Sequence, residues 1–469
     1  LGIVITVNDK EIELSPDQEE ALQIVFSELL AHRESMLAGA AGTGKTTVMF
    51  AIVNWWRQRR KRRVWIYCPT GRAASVAKQV VGSLGILPKT IHSQFFSTVD
   101  ESKGKGNRER LQFGEPHPPR GVRAGDLVIV DEASFVNDKL APTIRKMVSK
   151  IDAYLLWVGD HEQLPPVEGT WGVKLNEARA KLEKVHRQAL ESAVLELATL
   201  IREGKSGNFT RWGDGVYRFD PATIEQAVQW LEEGREADVF MKLASGQETR
   251  FFRGSRVLLT FTNNVRLKAN AYTRYLRGYP SAALVAGETL LCTYNNHNLG
   301  LMNGESFVVA EVAPCKPLTA CLGQPVVWVT EVRDFDDAKP RKYLILPHML
   351  DAYDPSIGER RLNRAAWAPL WARKKPRKAG EESSIELMHR MDWSWAQLTA
   401  WRDQVKVHCL QASHGYCLTV HKSQGSQWPE VGFISCPTYR RNRDMDFKRR
   451  FIYTALTRAE SHFNAFLLR

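Results

Sequence analysis

The stretch SMLAGAAGTGKTTVMFAIVNWW, Ser35 to Trp56, decides the fold. SMLAGA reads as a short strand, and KTTVMFAIVNWW reads as the helix that leaves the loop between them. In that loop Gly39, Ala40, Ala41, Gly42, Thr43, Gly44, Lys45, Thr46 and Thr47 fit G-x-x-x-x-G-K-[ST] without a mismatch. Glycines let backbone amides close around phosphate oxygens, and the start of the helix adds favourable partial charge. Lys45 is placed to reach the β- and γ-phosphates of ATP, and the Thr46 hydroxyl to ligate Mg²⁺. This local pattern requires an α/β fold with a parallel sheet.

Two more segments extend that sheet. In DLVIVDEAS, Asp126 to Ser134, four apolar residues suit a strand covered on both faces. Its acids then fall at the carboxyl end, where open α/β sheets bind ligands. Asp131 can hold Mg²⁺ directly or through water, and Glu132 can polarise the attacking water. Taken alone, the pair would suit a helix cap equally well. YLLWVGDHEQLPPV supplies a further strand, whose polar end carries Asp160 and Gln163. Pro165 and Pro166 restrict the backbone there, so the amide is presented with little freedom. An amide donates to a phosphate oxygen and accepts from water, so Gln163 can sense the third phosphate.

The 469 residues suggest about three domains. A net charge of +13 and a pI near 9.4 favour a polyanionic partner, nucleic acid before acidic lipid. The seven cysteines form no CxxC pair, which argues against a disulfide framework or zinc ribbon. His408, Cys409, His414 and Cys417 lie near one another in sequence, but their spacing is poor for zinc. No apolar run is long enough to span a membrane, and the opening LGIVITV lacks the features of a signal peptide. A reducing, cytoplasmic location is the simplest expectation.

Phosphoryl transfer gains most from cations placed over developing charge. Arg187 in LEKVHRQA and Arg458 in FIYTALTRAE are the candidates, the latter on an expected helix; each could equally be an ordinary surface arginine. SRVLLTFTNN, EVGFISC and FNAFLLR read as strands of a second α/β domain without its own phosphate loop.

In order along the chain, these motifs resemble superfamily 1 helicases, and within them the 5′-to-3′ RecD-like and phage Dda-like branch. LSPDQEEAL is similar to the adenine-reading glutamine segment, with Gln18. CPTGRAA looks like motif Ia and TIHS like motif Ib. The P-loop, VDEAS and GDHEQLPPV match motifs I, II and III. VHRQA, LTVHKSQGSQWPEV and YTALTRAE resemble motifs IV, V and VI. The resemblance implies that Arg187 and Arg458 contact the γ-phosphate and that Gln163 couples nucleotide state to a strand-binding surface. It implies that Pro69, Thr70, His92, Asn263, Thr419, His421 and Ser423 lie along single-stranded DNA. Gln424 and Gly425 would bridge that surface and the ATP site. Thr, His and Ser suit phosphate and sugar contacts that position a strand without reading it.

The expected architecture is two RecA-like parallel-sheet motor domains with two inserts. Residues 1–185 form the first, interrupted at 97–125 by a hairpin pin that would carry Phe113. Residues 186–283 and 411–469 form the second, split at 284–410 by an SH3-like β-barrel with a helical, basic extension. GETLLCTYNNHNLGLMNGESFVVAEV and PVVWVTEVRDFDDAKPRKYLILP read as hairpins, the first turning at Asn303-Gly304. Trp367, Trp371, Trp393, Trp395 and Trp401 are placed to pack a small core, with base stacking as the other use. RQRRKRR, Arg57 to Arg63, reads as a solvated helix end, with nuclear targeting as a weaker alternative and long-range attraction for DNA as a further use.

The expected activity is an ATP- and Mg²⁺-dependent DNA helicase moving 5′ to 3′ on single strands. It would act as a monomer at duplex junctions, with a single-strand-binding or replisome protein as a partner and no membrane contact. An RNA helicase and an ATP-switched clamp without unwinding are the alternatives.

Overall fold

Leu127–Val130 is buried at all four positions, as a strand covered on both faces must be. The computed structural model describes residues 4–7, 10–97, 115–166, 169–185, 192–205, 211–212, 215–234, 239–242, 248–251, 256–279, 283–292, 306–315, 327–332, 341–345, 394–396, 410 and 412–469. The chain divides into two compact units. One comprises Leu1–Phe219, Val420–Phe433 and Thr438–Ala465; the other comprises Asp220–Thr419, Ile434–Pro437 and Phe466–Arg469.

After a two-stranded ribbon, β1 (Val4–Val7) and β2 (Lys10–Glu13), the first unit runs α1 (Pro16–His32), β3 (Glu34–Gly39), α2 (Lys45–Trp55), β4 (Val64–Cys68), α3 (Gly71–Val81), β5 (Lys89–Thr90) and α4 (Ile91–Phe95). It continues with β6 (Leu127–Val130), α5 (Leu140–Ser149), β7 (Tyr154–Gly159), β8 (Ala180–Leu182) and α6 (Ala193–Arg202). Six strands form one sheet in the order β5-β4-β6-β7-β3-β8, with parallel pairings throughout.

Alternate residues feed two cores. Leu37, Ile129, Leu156 and Val158 pack with Val25, Leu29, Val48 and Ile52 from α1 and α2. Ala38, Val128, Val130, Leu155 and Trp157 pack with Phe95, Ile144 and Met147 from α4 and α5. Burying each such side chain contributes on the order of 1.5–3 kcal/mol, so the strands keep their register. Since the strands are parallel, Gly39, Cys68, Val130 and Gly159 all end at one edge. The P-loop, Pro69–Thr70, Asp131–Glu132 and Asp160–Gln163 follow from that edge, as the strand-end rule for open sheets predicts.

Further along the chain come β9 (Arg211–Trp212), β10 (Val216–Ala222), α7 (Ile224–Glu233), β11 (Val239–Lys242), β12 (Glu248–Phe251), β13 (Arg256–Thr260), α8 (Asn263–Leu276), β14 (Thr289–Cys292), β15 (Ser306–Pro314), β16 (Val327–Val332), β17 (Arg341–Ile345), β18 (Ala412–His414) and β19 (Cys417–Thr419). The chain closes with α9 (Val420–Ser423), β20 (Trp428–Ser435), α10 (Pro437–Arg440), α11 (Met445–Leu456) and β21 (Ala459–Leu468). A second six-stranded sheet has the order β19-β13-β20-β21-β10-β9. In it β13 and β19 pair in parallel, Leu258 opposite Cys417.

SRVLLTFTNN is therefore a strand only as far as Thr260. Thr262 caps α8, its hydroxyl accepting from the Val265 amide, so Asn263 opens a helix. The two hairpins expected within 284–345 are present as antiparallel pairs, β14 with β15 and β16 with β17. They belong to a five-stranded sheet, β17-β16-β15-β14-β18, whose core includes Leu290, Phe307, Val329 and Tyr343. In the second unit Asn270 ties α8 to β18 and β19. Its amide nitrogen donates to the carbonyls of His414 (3.1 Å) and Cys417 (3.3 Å), and its oxygen accepts from the Cys417 amide (2.8 Å).

Val420–Phe433 and Thr438–Ala465 fall in the same compact unit as the P-loop, and α11 is fastened to the loop after β7. Cys68, Cys292, Cys315, Cys417 and Cys436 are buried. No helix among the described residues is long and apolar enough to cross a membrane. Phe113, the Asn303-Gly304 turn, Trp367, Trp371, Trp393, Trp401, His408 and Cys409 lie outside the described residues; Trp395 is exposed.

Candidate nucleotide site

The P-loop turns through Gly42 (φ 78°) and Gly44 (φ 79°), both in the left-handed region that glycine enters without penalty. Gly39 is crowded: a side chain there would come within 2.7 Å of the Thr43 hydroxyl oxygen. That hydroxyl donates to the Ala40 carbonyl at 2.9 Å and holds the loop shut on itself. The Lys45 ammonium donates to the carbonyls of Gly39 (2.7 Å) and Ala40 (2.8 Å), and Thr46 is exposed. Gln18 braces the loop from behind. Its oxygen accepts from the Ser15 amide at 3.2 Å, completing a capping box, and its nitrogen donates to the Thr43 carbonyl at 3.4 Å. The expected adenine reader is thus buried and engaged with the chain itself.

Asp131 and Glu132 follow β6. Glu132 sits at φ 53°, a conformation that costs a non-glycine residue roughly 1 kcal/mol or more and here turns the side chain sharply off the strand. Asp131 accepts from the Glu132 amide at 2.9 Å. Burial pushes the Asp131 carboxyl up, against the pull of that amide and of Lys45. Glu132 is pushed up to about 7, by burial first and then by the neighbouring Asp131 charge, while Arg458 and Lys45 pull it back. Two adjacent buried carboxyls are thus both held above their ordinary range, Glu132 near neutrality.

The loop after β7 is held by α11. Asp160 is fully buried; one oxygen accepts from the Glu162 amide (2.9 Å) and the other from the Tyr453 hydroxyl (2.8 Å). The same hydroxyl accepts from the P-loop amide of Ala41 at 3.0 Å. Thr454 accepts from the Leu164 amide at 3.0 Å. Arg449 pairs with Glu162, and Arg450 donates to the His161 carbonyl. With His161, Arg449 holds the Glu162 carboxyl down to about 2 despite partial burial. Residues 449, 450, 453 and 454 are spaced to form one helix face.

Arg458 lies just past the end of this helix rather than on it, because Thr457 already caps α11. It is buried, donating to the carbonyls of Thr454 (3.1 Å) and Ser426 (3.2 Å) and to the Thr457 hydroxyl (3.1 Å). Burial pulls its pKa down, and the charges of Glu132 and Asp160 support it. Gln163 is buried, and its side-chain oxygen has no partner among the described residues. The structure thus gathers Lys45, Asp131, Glu132, Asp160 and Arg458 into one electrostatic cluster. Tyr453, Thr454, Arg449, Arg450 and Glu162 escaped the sequence reading. The four-residue spacing 450, 454, 458 was the available signal.

Other candidates scatter more. Pro69 and Thr70 follow β4, and the Thr70 hydroxyl caps α3 by accepting from the Ala73 amide at 3.1 Å. Gly425 (φ 73°) packs so closely there that a side chain would meet the Ala73 Cβ at 3.0 Å, which brings the Gln424–Gly425 turn to the motif Ia helix. His92 stacks on Phe96 with 5.7 Å between ring centroids. His421 meets Phe451 edge-on, and burial pulls its pKa down. Ser423 departs from expectation: it is fully buried, and its hydroxyl donates to the Val420 carbonyl at 2.8 Å, facing inward rather than to a strand track. Thr419 is buried at the end of β19. Asn263 is exposed and accepts from Arg266 at 3.1 Å. Arg187 lies outside the described residues.

These residues fit a nucleoside triphosphate with a divalent cation. Gly39 is too crowded for a side chain, Gln163 keeps a buried oxygen unpartnered among the described residues, and the Thr46 hydroxyl and Asp131 carboxylate are the hard oxygen donors that Mg²⁺ prefers.

Residues 13–214 match the AAA domain family, and residues 414–464 match the UvrD-like helicase C-terminal domain family. The ATP-dependent RecD2 DNA helicase of Deinococcus radiodurans is 32% identical over 194 residues, which cover 40% of this chain and 24% of that protein. The RecBCD enzyme subunit RecD of Mycobacterium tuberculosis is 25% identical over 325 residues, 62% of this chain and 55% of that one. The chain thus spans about a quarter and about half of these two relatives. A solved structure of Pif1, described as showing DNA unwinding at forked double-stranded DNA by two coordinating helicases, aligns over 97% of this chain and 92% of its own at 14% identity with a TM-score of 0.48.

Proposed function

We propose that this chain is a superfamily 1 helicase, an ATP-driven motor that moves 5′ to 3′ on single-stranded DNA and unwinds duplex. The observation that carries this reading is the fastening of α11 to the P-loop and the loop after β7. A device that only binds nucleotide has no use for a helix that links Ala41, Asp160, Glu162, Leu164 and Arg458.

Lys45 and the P-loop amides of Gly42 to Thr47 hold the phosphates of ATP. Thr46 and Asp131 would hold Mg²⁺, which when bound would supply charge neutralisation at the phosphates. Glu132 takes the proton of the attacking water, and Arg458, aided by Arg187, faces the charge that develops on the γ-phosphate. Gln163 and the Gln424–Gly425 turn carry nucleotide state toward a strand track of Pro69, Thr70, His92, Asn263, Thr419 and His421. Gln18 acts by bracing the loop. Residues 1–185 form one motor domain, and 186–283 with 411–469 the other. The five-stranded sheet within 284–410 supports an SH3-like barrel, and 97–125 a pin at the duplex junction. The enzyme works as a monomer, with a single-strand-binding or replisome protein as a partner, in the cytoplasm.

Strand displacement from duplexes with a 5′ or a 3′ single-stranded tail tests this. Displacement with ATP from the 5′-tailed duplex, and little from the other, is expected. Equal or reversed preference overturns the polarity, faster displacement from RNA tails favours an RNA helicase, and ATP-dependent binding without displacement leaves a clamp.

Gln163→Ala tests the coupling. Strand-stimulated ATP turnover should largely survive while unwinding per ATP falls roughly ten-fold, a coupling of roughly 1–2 kcal/mol. Parallel loss of both activities would remove the coupling role.

A further inference from the structure

The basic run between α2 and β4 takes no part in the nucleotide site. Arg57, Arg59, Arg60, Lys61, Arg62 and Arg63 are all exposed, and among the described residues none is ion-paired with a carboxylate. Yet the run is built in place rather than loose. It begins in a π-helical turn, Trp56–Arg60, rooted by the buried Trp56, whose indole packs edge-on against Tyr154. Arg57 donates to the Leu84 carbonyl at 2.6 Å, and Arg60 to the Tyr154 hydroxyl at 3.0 Å. Arg62 lies over Gly125.

Asp126, the acid that joins the run to the neighbouring loop, is committed to backbone amides and an indole rather than to a guanidinium. Asp126 is buried, and its oxygens accept from the amides of Arg63 (3.2 Å) and Arg123 (3.0 Å) and from the Trp65 indole (3.0 Å). Arg123 adds another exposed cation beside the run.

The location separates this face from the motor's track. The run precedes β4, whereas Pro69 and Thr70 follow it, and a five-residue strand puts about 16 Å between them. Side-chain chemistry then narrows the ligand. Sites for single strands combine cations with aromatic platforms on which bases stack. Here the neighbouring rings are engaged inward: Trp55 on Phe26 at 4.0 Å, Trp56 in the core, Trp65 on Asp126. What remains is an array of cations, mostly arginines, without an aromatic stacking platform among the neighbouring rings. That suits the phosphate backbone of a duplex, whose charge density exceeds that of a single strand.

We propose that Arg57–Arg63, with Arg123, is a second nucleic-acid contact that docks the backbone of duplex DNA. The proposal takes DNA as its polyanion from the motor reading, but its binding test uses no ATP, so either can fail alone.

The test is the triple variant Arg59→Gln/Lys61→Gln/Arg62→Gln, with Arg59→Lys/Lys61→Arg/Arg62→Lys as the charge-conserving control. Binding to a blunt DNA duplex about two helical turns long is titrated across salt. For the neutral triple the slope of log affinity against log salt should become shallower by about 2 to 3 units, since each phosphate contact contributes about 0.9. Affinity at low salt should fall, and the charge-conserving control should match wild type. Single-strand binding and strand-stimulated ATP turnover should hold. An unchanged duplex slope overturns the proposal. So does equal loss of single-strand binding, or a loss confined to binding of anionic phospholipid vesicles.

Discussion

Glu132→Gln is expected to bind ATP and single strands much as wild type does and to turn ATP over roughly 10²- to 10⁴-fold more slowly, the usual range for a lost general base. Glutamine keeps the shape of the side chain and removes only its ability to accept a proton. The pH profile should change with it. With Glu132 pushed up to about 7, wild-type kcat/KM should climb about ten-fold per pH unit below that point and level off above it. The variant should lose that rising limb.

Folding supplies a control of known sign. The folded pKa of Glu132 lies above the ordinary glutamate value of 4.5, so the fold binds this proton more tightly than the unfolded chain does. Its contribution is greatest below 4.5 and is lost as pH rises through 7. Glu132→Gln removes a carboxylate that burial disfavours, so its Tm at pH 8 should be no lower than wild type. Near-normal turnover would exclude Glu132 as the base, and a lowered Tm would show that inactivity came from misfolding.

Arg458→Ala should lose roughly 10³-fold or more in kcat, on the scale of arginines that face a transferring γ-phosphate. Nucleotide affinity should change far less, because the charge it opposes develops in the transition state. Arg458→Lys separates chemistry from packing. It keeps a cation near Glu132 and Asp160 but cannot span the carbonyls of Thr454 and Ser426 and the Thr457 hydroxyl as a planar fork does. Partial recovery in the lysine variant is expected. Turnover within a few-fold of wild type in Arg458→Ala would leave that arginine a structural clamp.

Much of the P-loop unit was legible in the chain. LVIV and YLLWVG lack polar alternation, so they must lie between layers, and the polar residues after them must emerge at one sheet edge. Asp131, Glu132, Asp160 and Gln163 were found for that reason. Other features depend on contacts that spacing does not encode. Leu164 and Thr454 meet across 290 positions of sequence, so nothing near either one announces the pairing. SRVLLTFTNN looked extended throughout because its polar end resembles a turn, whereas Thr262 uses that polarity to cap a helix. Ser423 looked like a phosphate contact by residue type, but its hydroxyl satisfies a carbonyl in its own turn.

The face of α11 formed by Arg449, Arg450, Tyr453 and Thr454 leaves almost no backlash in the machinery. An ammonium or guanidinium on a free loop could drift while the sensing amide stayed still. Arg458 follows α11 directly, and Thr454 of that helix accepts from the amide of Leu164, next to Gln163, so in the proposed cycle a displacement at Arg458 would reach the Gln163 loop through a single helix. Loosening that mounting with small substitutions should yield an enzyme that still burns fuel but slips.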